Sequence, residues 1–150
     1  MQISQASIVD TQEILDLQKL AYQSEAELYD NYDIPPLTQK VEEINAQFKD
    51  HILLKAVLAG KIIGTVRAHE KNGTCYIGRL AVHPAHQNHG IGTALLKAIE
   101  SNYSPQRFEL FVGSKSAKNI HLYQKLGYTV YKTEKFGCGA IEIFYMEKTR

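Results

Sequence analysis

The stretch AVHPAHQNHGIGTALLKAIE, residues 81–100, joins an apolar segment to a helix through a loop that contains two closely spaced glycines. The apolar segment ends at about Val82 and the helix begins at about Gly90, so the unpaired N–H groups of the first helical turn point into the loop. This helix end carries partial positive charge, and no acidic residue lies in its first turn. Gly90 and Gly92 leave room for a ligand to approach the backbone closely. The stretch therefore predicts a binding site for phosphate.

Upstream of this loop, residues 51–84 predict an antiparallel meander of three strands. Their sequence, HILLKAVLAGKIIGTVRAHEKNGTCYIGRLAVHP, contains three apolar segments separated at Ala59-Gly60-Lys61 and Lys71-Asn72-Gly73. Short glycine-containing turns between such segments are typical of β-hairpins. We therefore expect the phosphate loop to follow the last strand of the meander.

Residues 1–50 predict one strand and two helices. The first two elements are a strand over residues 3–9 and a helix from residue 10 to about residue 28, with Asp10 as N-cap and Glu13 completing a capping box. Two prolines in YDNYDIPPLT, residues 29–38, interrupt the helical pattern. Thr38 is then expected to cap a second helix, whose apolar positions are Val41, Ile44 and Phe48.

The remainder of the chain predicts two more helices and three more strands. The expected helices span about residues 90–100 and 117–126, and the expected strands span about residues 107–112, 128–132 and 140–148. The order βααβββαβαββ is that of an α/β (α+β) fold, with a mixed, mostly antiparallel sheet of about seven strands flanked by four helices. We expect a single domain over residues 1–150.

Composition predicts an ordinary soluble, cytoplasmic protein. The chain is 44% hydrophobic and 22% charged, and its net charge of +1 argues against a dedicated nucleic-acid binder. No apolar run approaches the roughly 20 residues that a membrane-spanning helix needs, and MQISQASIVD lacks the features of a signal peptide. Cys75 and Cys138 have no nearby partner in sequence and are expected to be free thiols.

Charge is distributed unevenly along the chain. Residues 1–50 contain ten acidic residues and three lysines, whereas residues 51–150 contain fourteen basic and six acidic residues. The segment SEAELYDNYD, residues 24–33, contributes Glu25, Glu27, Asp30 and Asp33. Its carboxylates either form a solvated loop or attract a cationic ligand.

Two segments resemble the GNAT N-acetyltransferases. Gln87-Asn88-His89-Gly90-Ile91-Gly92, which follows LAVHP, is similar to the acetyl-CoA motif Gln/Arg-x-x-Gly-x-Gly/Ala of that family. The segment NIHLYQKLGYTVYK, residues 119–132, resembles the family's next motif. The predicted order of elements is also that of the family. The resemblance implies a GNAT fold, with acetyl-CoA as the acyl donor and a primary amine as the acceptor.

The resemblance also implies roles for individual residues. Backbone groups at the end of the strand would contact the pantetheine arm, the Val82 N–H would stabilise the oxyanion, and the amides of residues 88–92 would hold the pyrophosphate. Asn119 would bind the pantetheine or phosphate region. The implied cofactor-binding residues are Leu80, Ala81, Val82, Gln87, Asn88, His89, Gly90, Ile91, Gly92, Thr93, Asn119 and Tyr123.

Tyr123 is the implied catalytic side chain, with its hydroxyl near the sulfur of CoA. It lies one helical turn after Asn119 on the same face. The alternative is a core tyrosine packed with Ile120 and Leu126. Because a phenol has a pKa of about 10 and a thiol about 8.5, Tyr123 is expected to donate a strong hydrogen bond to the departing thiolate rather than transfer its proton fully.

The general base is not evident from the sequence. Many members of the family place a glutamate on the strand that enters the first motif, but TCYIGRLAV, residues 74–82, has Tyr76 and no acidic residue. The remaining candidates are His69, Glu70 and Glu27.

The spacing of His83, His86 and His89 could suggest a zinc site. A metal site needs rigidly held ligands with supporting partners, whereas histidines in a phosphate loop more plausibly face solvent or phosphate. We therefore expect no metal site.

Two other functional classes fit the same residues. A GNAT-like domain could bind acyl-CoA as a sensor or scaffold without turnover. The absence of the glutamate favours this alternative, whereas the presence of Tyr123 argues against it. A nucleotide-binding module would instead bind ATP or NAD. The identity of the amine acceptor, including a cationic one, and the formation of a homodimer are left open by the sequence.

Overall fold

The computed structural model of the protein describes residues 1–149 and contains a single seven-stranded sheet. Its strands are β1 (Gln2–Gln5), β2 (Ile52–Leu58), β3 (Lys61–Lys71), β4 (Thr74–Val82), β5 (Arg107–Gly113), β6 (Thr129–Phe136) and β7 (Ile141–Thr149). The spatial order is β1-β2-β3-β4-β5-β7-β6, in which β4 and β5 are parallel and all other neighbours are antiparallel. The predicted mixed, mostly antiparallel sheet is confirmed.

Helices cover parts of both faces of the sheet. They are α1 (Thr11–Ala21), α2 (Gln23–Tyr29), α3 (Pro35–Thr38), α4 (Val41–Gln47), α5 (Ile91–Ser101) and α6 (Ala117–Lys125). One apolar core joins α5 and α6 to the sheet, and Leu95, Leu96 and Ile99 are fully buried there. A second core on the opposite face joins Ile14 of α1 and Ile44 of α4 to the first strands.

The predicted hairpins are confirmed. β2 and β3 are joined through Ala59 and Gly60, and β3 and β4 through Asn72 and Gly73. All four residues have positive φ, between 51° and 81°, which matches the type I′ turn of a two-residue hairpin. Local turn chemistry therefore determines the meander that leads to the phosphate loop.

The predicted N-terminal boundaries are partly wrong. β1 ends at Gln5 because a 3-10 turn begins at Ile8, and the capping box joins Ser7 to Asp10, whose carboxylate accepts the Ser7 N–H at 2.9 Å. The carboxylate of Glu13 instead accepts the N–H of Ile62, in β3, at 2.8 Å. A long-range contact has thus taken the side chain that the local pattern assigned to the cap.

The first predicted helix is divided at Tyr22, and the second begins later than expected. α4 starts after Lys40, whose N–H donates to Glu43 at 2.8 Å. Thr38 is the last residue of the short helix α3, which begins at Pro35, so it does not cap α4. Proline is well suited to the first turn of a helix, which explains why the interrupting segment contains a helical turn of its own.

An irregularity in β4 opens the sheet. Thr65 pairs with Ala81 while Arg67 pairs with Gly78, so β4 contains one extra residue there, and Arg79 has a φ of 53°. β4 pairs with β5 only through residues 74–76, after which the two strands separate. The end of β4 therefore has β3 on one side and an open space on the other.

The end of α2 packs beside this opening. The hydroxyl of Tyr29 accepts the N–H of Lys115 at 3.0 Å, and a Cβ added to Gly113 would overlap the Tyr29 ring.

We expect Gly113→Ala to reduce the free energy of unfolding by about 1–3 kcal/mol, because Tyr29 would have to move. Denaturant unfolding of Gly113→Ala, Tyr29→Ala and the double variant would measure this. An equal cost of Gly113→Ala in both backgrounds would contradict the contact with Tyr29.

Candidate active site

A cleft of about 900 Å³ opens where β4 and β5 separate. Its walls come from the end of β4, the loop into α5, the start of α6 and the α1–α2 junction. Of the predicted cofactor-binding residues, His89 and Tyr123 do not line it; those that do are Leu80, Ala81, Val82, Gln87, Asn88, Gly90, Ile91, Gly92, Thr93 and Asn119. Residues 80–93 and 115–125, which contain the first predicted motif and part of the second, therefore contribute to one cavity together with residues 21–28.

The loop between β4 and α5 presents backbone N–H groups to this cleft. Asn88 and Gly90 have positive φ, 66° and 80°, and Gly90 is the N-cap of α5. The first intrahelical bond of α5 runs from the Ala94 N–H to the Gly90 carbonyl at 3.0 Å. The N–H groups that precede Ala94 in the first turn thus have no partner within the helix. This geometry suits a phosphate anion.

The two glycines of the loop have different structural roles. Gly90 has no neighbouring atom within 4 Å of an added Cβ, so its left-handed backbone is what favours glycine there. An added Cβ at Gly92 would lie 3.3 Å from a Leu122 methyl and within 4.0 Å of side-chain atoms of Leu80 and Val82. Gly92 is therefore the position where α5, α6 and β4 approach one another.

The backbone of Val82 faces the opening between β4 and β5. Val82 pairs with Gly64, and the neighbouring His83 N–H donates to the Ile63 carbonyl at 2.8 Å. In an antiparallel ladder this pattern makes Val82 and Gly64 a non-hydrogen-bonded pair. The Val82 N–H consequently points away from β3. The carbonyl oxygen of Val82 accepts a hydrogen bond from the Gln87 side-chain amide at 3.2 Å.

Lysines from the α6 region contribute positive charge to the cleft. Lys115, Lys118 and Lys125 line it, and the Lys118 ammonium donates to the Gln87 amide oxygen at 3.3 Å. These lysines were not among the predicted site residues. Lys118 and Lys125 are seven residues apart on α6 and therefore share one helical face, a spacing that could have indicated their role.

Tyr123 is buried, with 7% of its surface exposed, and does not line the cleft. Its ring packs edge-on against Tyr128, with the centroids 6.3 Å apart. Burial raises the pKa of Tyr123, and the nearby Tyr22 and Glu25 raise it further. Because Tyr22 and Glu25 do line the cleft, the phenol lies close behind its wall.

Glu25 connects α2 to α6. One of its carboxylate oxygens accepts from the Ser116 hydroxyl at 2.6 Å and from the Asn119 amide at 3.4 Å. Asn119 and Tyr123 are four residues apart within α6 and therefore share a helical face, as predicted. From sequence, Glu25 was expected either to be solvated with its acidic neighbours or to attract a cationic ligand with them.

The other acidic residues of segment 24–33 differ in whether they line the cleft. Glu27 is exposed and lines the cleft. Asp30 and Asp33 do not line it. Asp30 ends α2 with a left-handed backbone, and the Asp33 N–H donates to Asn31 at 2.9 Å. Among the four carboxylates, only Glu25 and Glu27 are placed to meet a ligand in the cleft.

The three candidate bases lie in different places. Glu27 lines the cleft, whereas His69 and Glu70 do not. The His69 ring stacks on Tyr76 with the centroids 5.2 Å apart and lies 4.4 Å from the ring of His51. Burial lowers the pKa of His69, and the charge of His51 lowers it further. His69 is therefore neutral at pH 7.

The histidines of the loop make local contacts. The Nδ1 of His83 accepts the Ala85 N–H at 3.0 Å, and the His83 and His86 rings are 5.6 Å apart. Within residues 1–149, no group of three or more His, Cys, Asp or Glu side chains is arranged to hold a metal ion. Cys75 is buried and Cys138 is exposed, and both are free thiols.

The same part of the chain contains no helix that is both long and apolar enough to cross a membrane.

A known protein is similar to this chain in sequence. The UPF0157 protein YqkA of Bacillus subtilis is 30% identical over 140 residues, which are 92% of this chain but 40% of YqkA. The chain therefore spans less than half the length of that relative.

Solved structures match over nearly the whole chain. A protein of Streptococcus mutans superposes with a TM-score of 0.84 at 20% identity, covering 99% of each chain. The PaiA N-acetyltransferase of Thermoplasma acidophilum, solved with coenzyme A, superposes at 0.76 with 20% identity over 100% of each chain. YncA of Salmonella typhimurium, solved with acetyl-CoA, gives 0.75 at 21% identity, covering 99% of this chain and 93% of YncA. At these identities the matches show the fold.

The model of the acetyltransferase (GNAT) family matches residues 11–128, which include the first predicted motif, the second as far as Tyr128, and every residue that lines the cleft. Because this match covers most of the 150 residues, the chain belongs to the GNAT acetyltransferase family.

Proposed function

We propose that the protein is an acetyl-CoA-dependent N-acetyltransferase and that residues 1–150 act as one domain. The observation that carries the proposal is the cleft between β4 and β5, where the unpaired N–H groups of α5 and the outward-facing Val82 N–H lie on one wall. The first suits a pyrophosphate, and the second suits the carbonyl oxygen of a thioester. Two similar folds were solved with CoA or acetyl-CoA.

In the proposed complex, the amides of residues 88–92 bind the pyrophosphate, and Lys118 adds positive charge beside it. The pantetheine arm follows Leu80 and Val82, with Gly92 leaving space opposite these side chains. Asn119 borders the same channel through α6. The chain thereby positions the thioester carbonyl at the Val82 N–H.

Chemistry then proceeds by direct attack. The neutral amine nitrogen bonds to the thioester carbon, and the negative charge that develops on the oxygen is stabilised by the Val82 N–H. The intermediate breaks its C–S bond, the amine loses a proton to a base or to water, and the CoA thiolate departs. Tyr123 donates a hydrogen bond to that thiolate.

The missing glutamate on β4 favours acceptors whose amines lose a proton easily. An α-amino group with a pKa near 7.7 requires about 1 kcal/mol to be neutral at pH 7, whereas a lysine side chain near 10.4 requires about 4.6 kcal/mol. Glu27, on the wall of the cleft, is the candidate base best placed to receive the proton directly or through water.

Calorimetry with CoA, followed by measurement of free thiol during incubation with acetyl-CoA and a panel of amines, tests the proposal. We expect CoA to bind and at least one amine to release thiol. Binding without thiol release from any amine would favour the acyl-CoA sensor. Displacement of CoA by ATP or NAD would instead favour a nucleotide-binding module.

Glu27 also tests whether acidic residues attract the ammonium form of the acceptor. We expect Glu27→Gln to raise the acceptor KM about two- to threefold at an ionic strength near 0.01 M and to have less effect near 0.1 M, because salt screens exposed charges. Asp33→Asn removes an equivalent charge outside the cleft and should leave the acceptor KM unchanged at both ionic strengths. Identical salt profiles for wild type and Glu27→Gln would contradict this role.

A further inference from the structure

Two arginines lie together on the face of the sheet that α1 and α4 cover. Arg67 belongs to β3 and Arg79 to the irregular part of β4, and both border a small cavity beside Gln18 and Gln47. The Arg67 guanidinium donates to the Gln47 amide oxygen at 2.7 Å. Over residues 1–149, no carboxylate lies within ion-pairing distance of either guanidinium. The Nε of Arg79 is buried and has no hydrogen-bond partner.

This arrangement is costly without an anion. Burial and, to a smaller extent, the adjacent Arg79 together lower the pKa of Arg67 to about 10. The pKa of Arg79 is also lowered by burial, although Tyr22 and Glu43 act in the opposite direction. Two neighbouring, partly buried cations are normally compensated by a carboxylate. The forked N–H groups of a guanidinium match the two oxygens of a carboxylate. The missing partner is therefore best supplied by a ligand.

Tyr22 links the two arginines to the cleft. It lies at the junction of α1 and α2, lines the cleft and is close enough to both guanidiniums for their charges to affect its pKa. Burial nevertheless raises the pKa of Tyr22 to about 12, so its hydroxyl is a neutral hydrogen-bond donor at physiological pH. A ligand group at this position could contact the hydroxyl and a guanidinium together.

The strand leaves space for such a group. Gly78 pairs with Arg67 across the β3–β4 ladder, and a Cβ added to it would meet only the Arg67 Nε, at 3.9 Å. Arg79 is three residues before Val82, which corresponds to roughly 10 Å along a strand. A small molecule could therefore contact Arg79 with one end and present its other end to a thioester held at Val82.

We propose that Arg67, Arg79 and the Tyr22 hydroxyl bind a carboxylate of the acceptor, so that the acceptors are amino acids or other small amines that carry a carboxylate. This inference rests on the proposed acetyltransferase function. It is compatible with the acidic side of the cleft, because an amino acid is a zwitterion: its ammonium group can face Glu27 in the cleft while its carboxylate extends past Tyr22 towards the arginines, which border the neighbouring small cavity. It also fits the preference for an amine of low pKa.

Matched substrates test the proposal. Each amino acid would be compared with its carboxamide and with the amine that lacks the carboxylate, by thiol release from acetyl-CoA. We expect kcat/KM for the best amino acid to exceed that of both analogues by about tenfold or more, the range of a charge-assisted hydrogen bond. Equal kcat/KM values for all three compounds would overturn the proposal while leaving the acetyltransferase function intact.

Variants test whether the arginines cause the preference for amino acids over their carboxamides. Arg79→Gln should raise the amino-acid KM about tenfold, remove most of the preference over the carboxamide and leave the KM for acetyl-CoA within about twofold. Gly78→Leu should also abolish amino-acid turnover by filling the space beside Arg67, with CoA binding retained. Lys61→Gln removes an exposed positive charge on the β2–β3 hairpin and should have no effect. Retention of the full preference in Arg79→Gln would overturn the assignment.

A binding measurement separates the two proposals. If CoA binds but no amine is turned over, calorimetric titration of amino acids into the CoA complex still reports the carboxylate site. Amino-acid binding that is lost in Arg79→Gln, with an unchanged thermal unfolding midpoint, would support the site. Absence of binding by any carboxylate would overturn it. Absence of CoA binding would instead overturn the proposed function.

Discussion

Gly92→Val should raise the Kd for CoA at least about a hundredfold. The added Cβ would lie 3.3 Å from Leu122 and within 4.0 Å of atoms in Leu80 and Val82, so the two γ-methyl groups of valine would occupy the space between α5, α6 and β4. In the proposed complex this is the path of the pantetheine arm and the approach to the N–H groups of α5. Loss of two charge-assisted hydrogen bonds, each worth about 1.5–3 kcal/mol, accounts for the expected factor.

Calorimetry with CoA measures the effect directly. Gly92→Ala is the matched variant, because a single methyl group is crowded only by the flexible end of Leu122, at 3.3 Å, and should change the Kd by no more than a few fold. Thermal unfolding of both variants shows whether the α5–α6 packing has been preserved. Unchanged CoA affinity in a folded Gly92→Val variant would remove residues 87–92 from the proposed cofactor site.

The phosphate loop could be predicted from sequence because its determinants are local. Gly90 adopts the left-handed conformation at the N-cap of α5, and Gly60 and Asn72-Gly73 favour the positive φ angles that the two hairpin turns require. None of these features requires a distant contact. The family motifs added Asn119, which does line the same cleft.

Features that depend on long-range contacts were not predictable in this way. Glu13 bonds to Ile62 in β3, and Glu25 bonds to Ser116 at the start of α6, so neither side chain acts as its local sequence suggests. The irregularity at Arg79 fixes which backbone groups face the opening, and the proximity of Arg67 to Arg79 follows from the β3–β4 register, in which Arg67 pairs with Gly78. The arginines were therefore not predicted from the sequence, although the loop that follows β4 was.

Tyr123→Phe should lower kcat about 30- to 150-fold while CoA affinity stays within a few fold. The substitution removes only the hydroxyl and leaves the ring packed against Tyr128. A hydrogen bond to a charged partner contributes about 2–3 kcal/mol, which corresponds to this range if the partner is the departing thiolate. Thiol release should be measured under single-turnover conditions. A kcat that does not change with solvent viscosity would establish that chemistry is rate-limiting.

The matched control for Tyr123 is Tyr128→Phe. The Tyr128 hydroxyl donates to Glu100 at 2.6 Å and does not line the cleft. Its removal should therefore reduce the free energy of unfolding by about 1–2 kcal/mol without lowering kcat. An equal loss of kcat in both variants would mean that the two tyrosines act through packing of the core.

The raised pKa of Tyr123 adds a prediction about pH that distinguishes a hydrogen-bond donor from an acid that titrates. A group whose pKa is raised keeps its proton to higher pH, so the donating form of Tyr123 persists above pH 10, where an ordinary tyrosine would be half ionised. The same shift makes complete proton transfer to a thiolate less favourable, which leaves hydrogen bonding as the role of the phenol. We therefore expect the ratio of wild-type kcat to Tyr123→Phe kcat to remain constant between about pH 7 and pH 10. A ratio that falls to one near pH 10 would show that Tyr123 loses its proton in that range, and equal kcat values at every pH would identify it as a core residue with no part in the reaction.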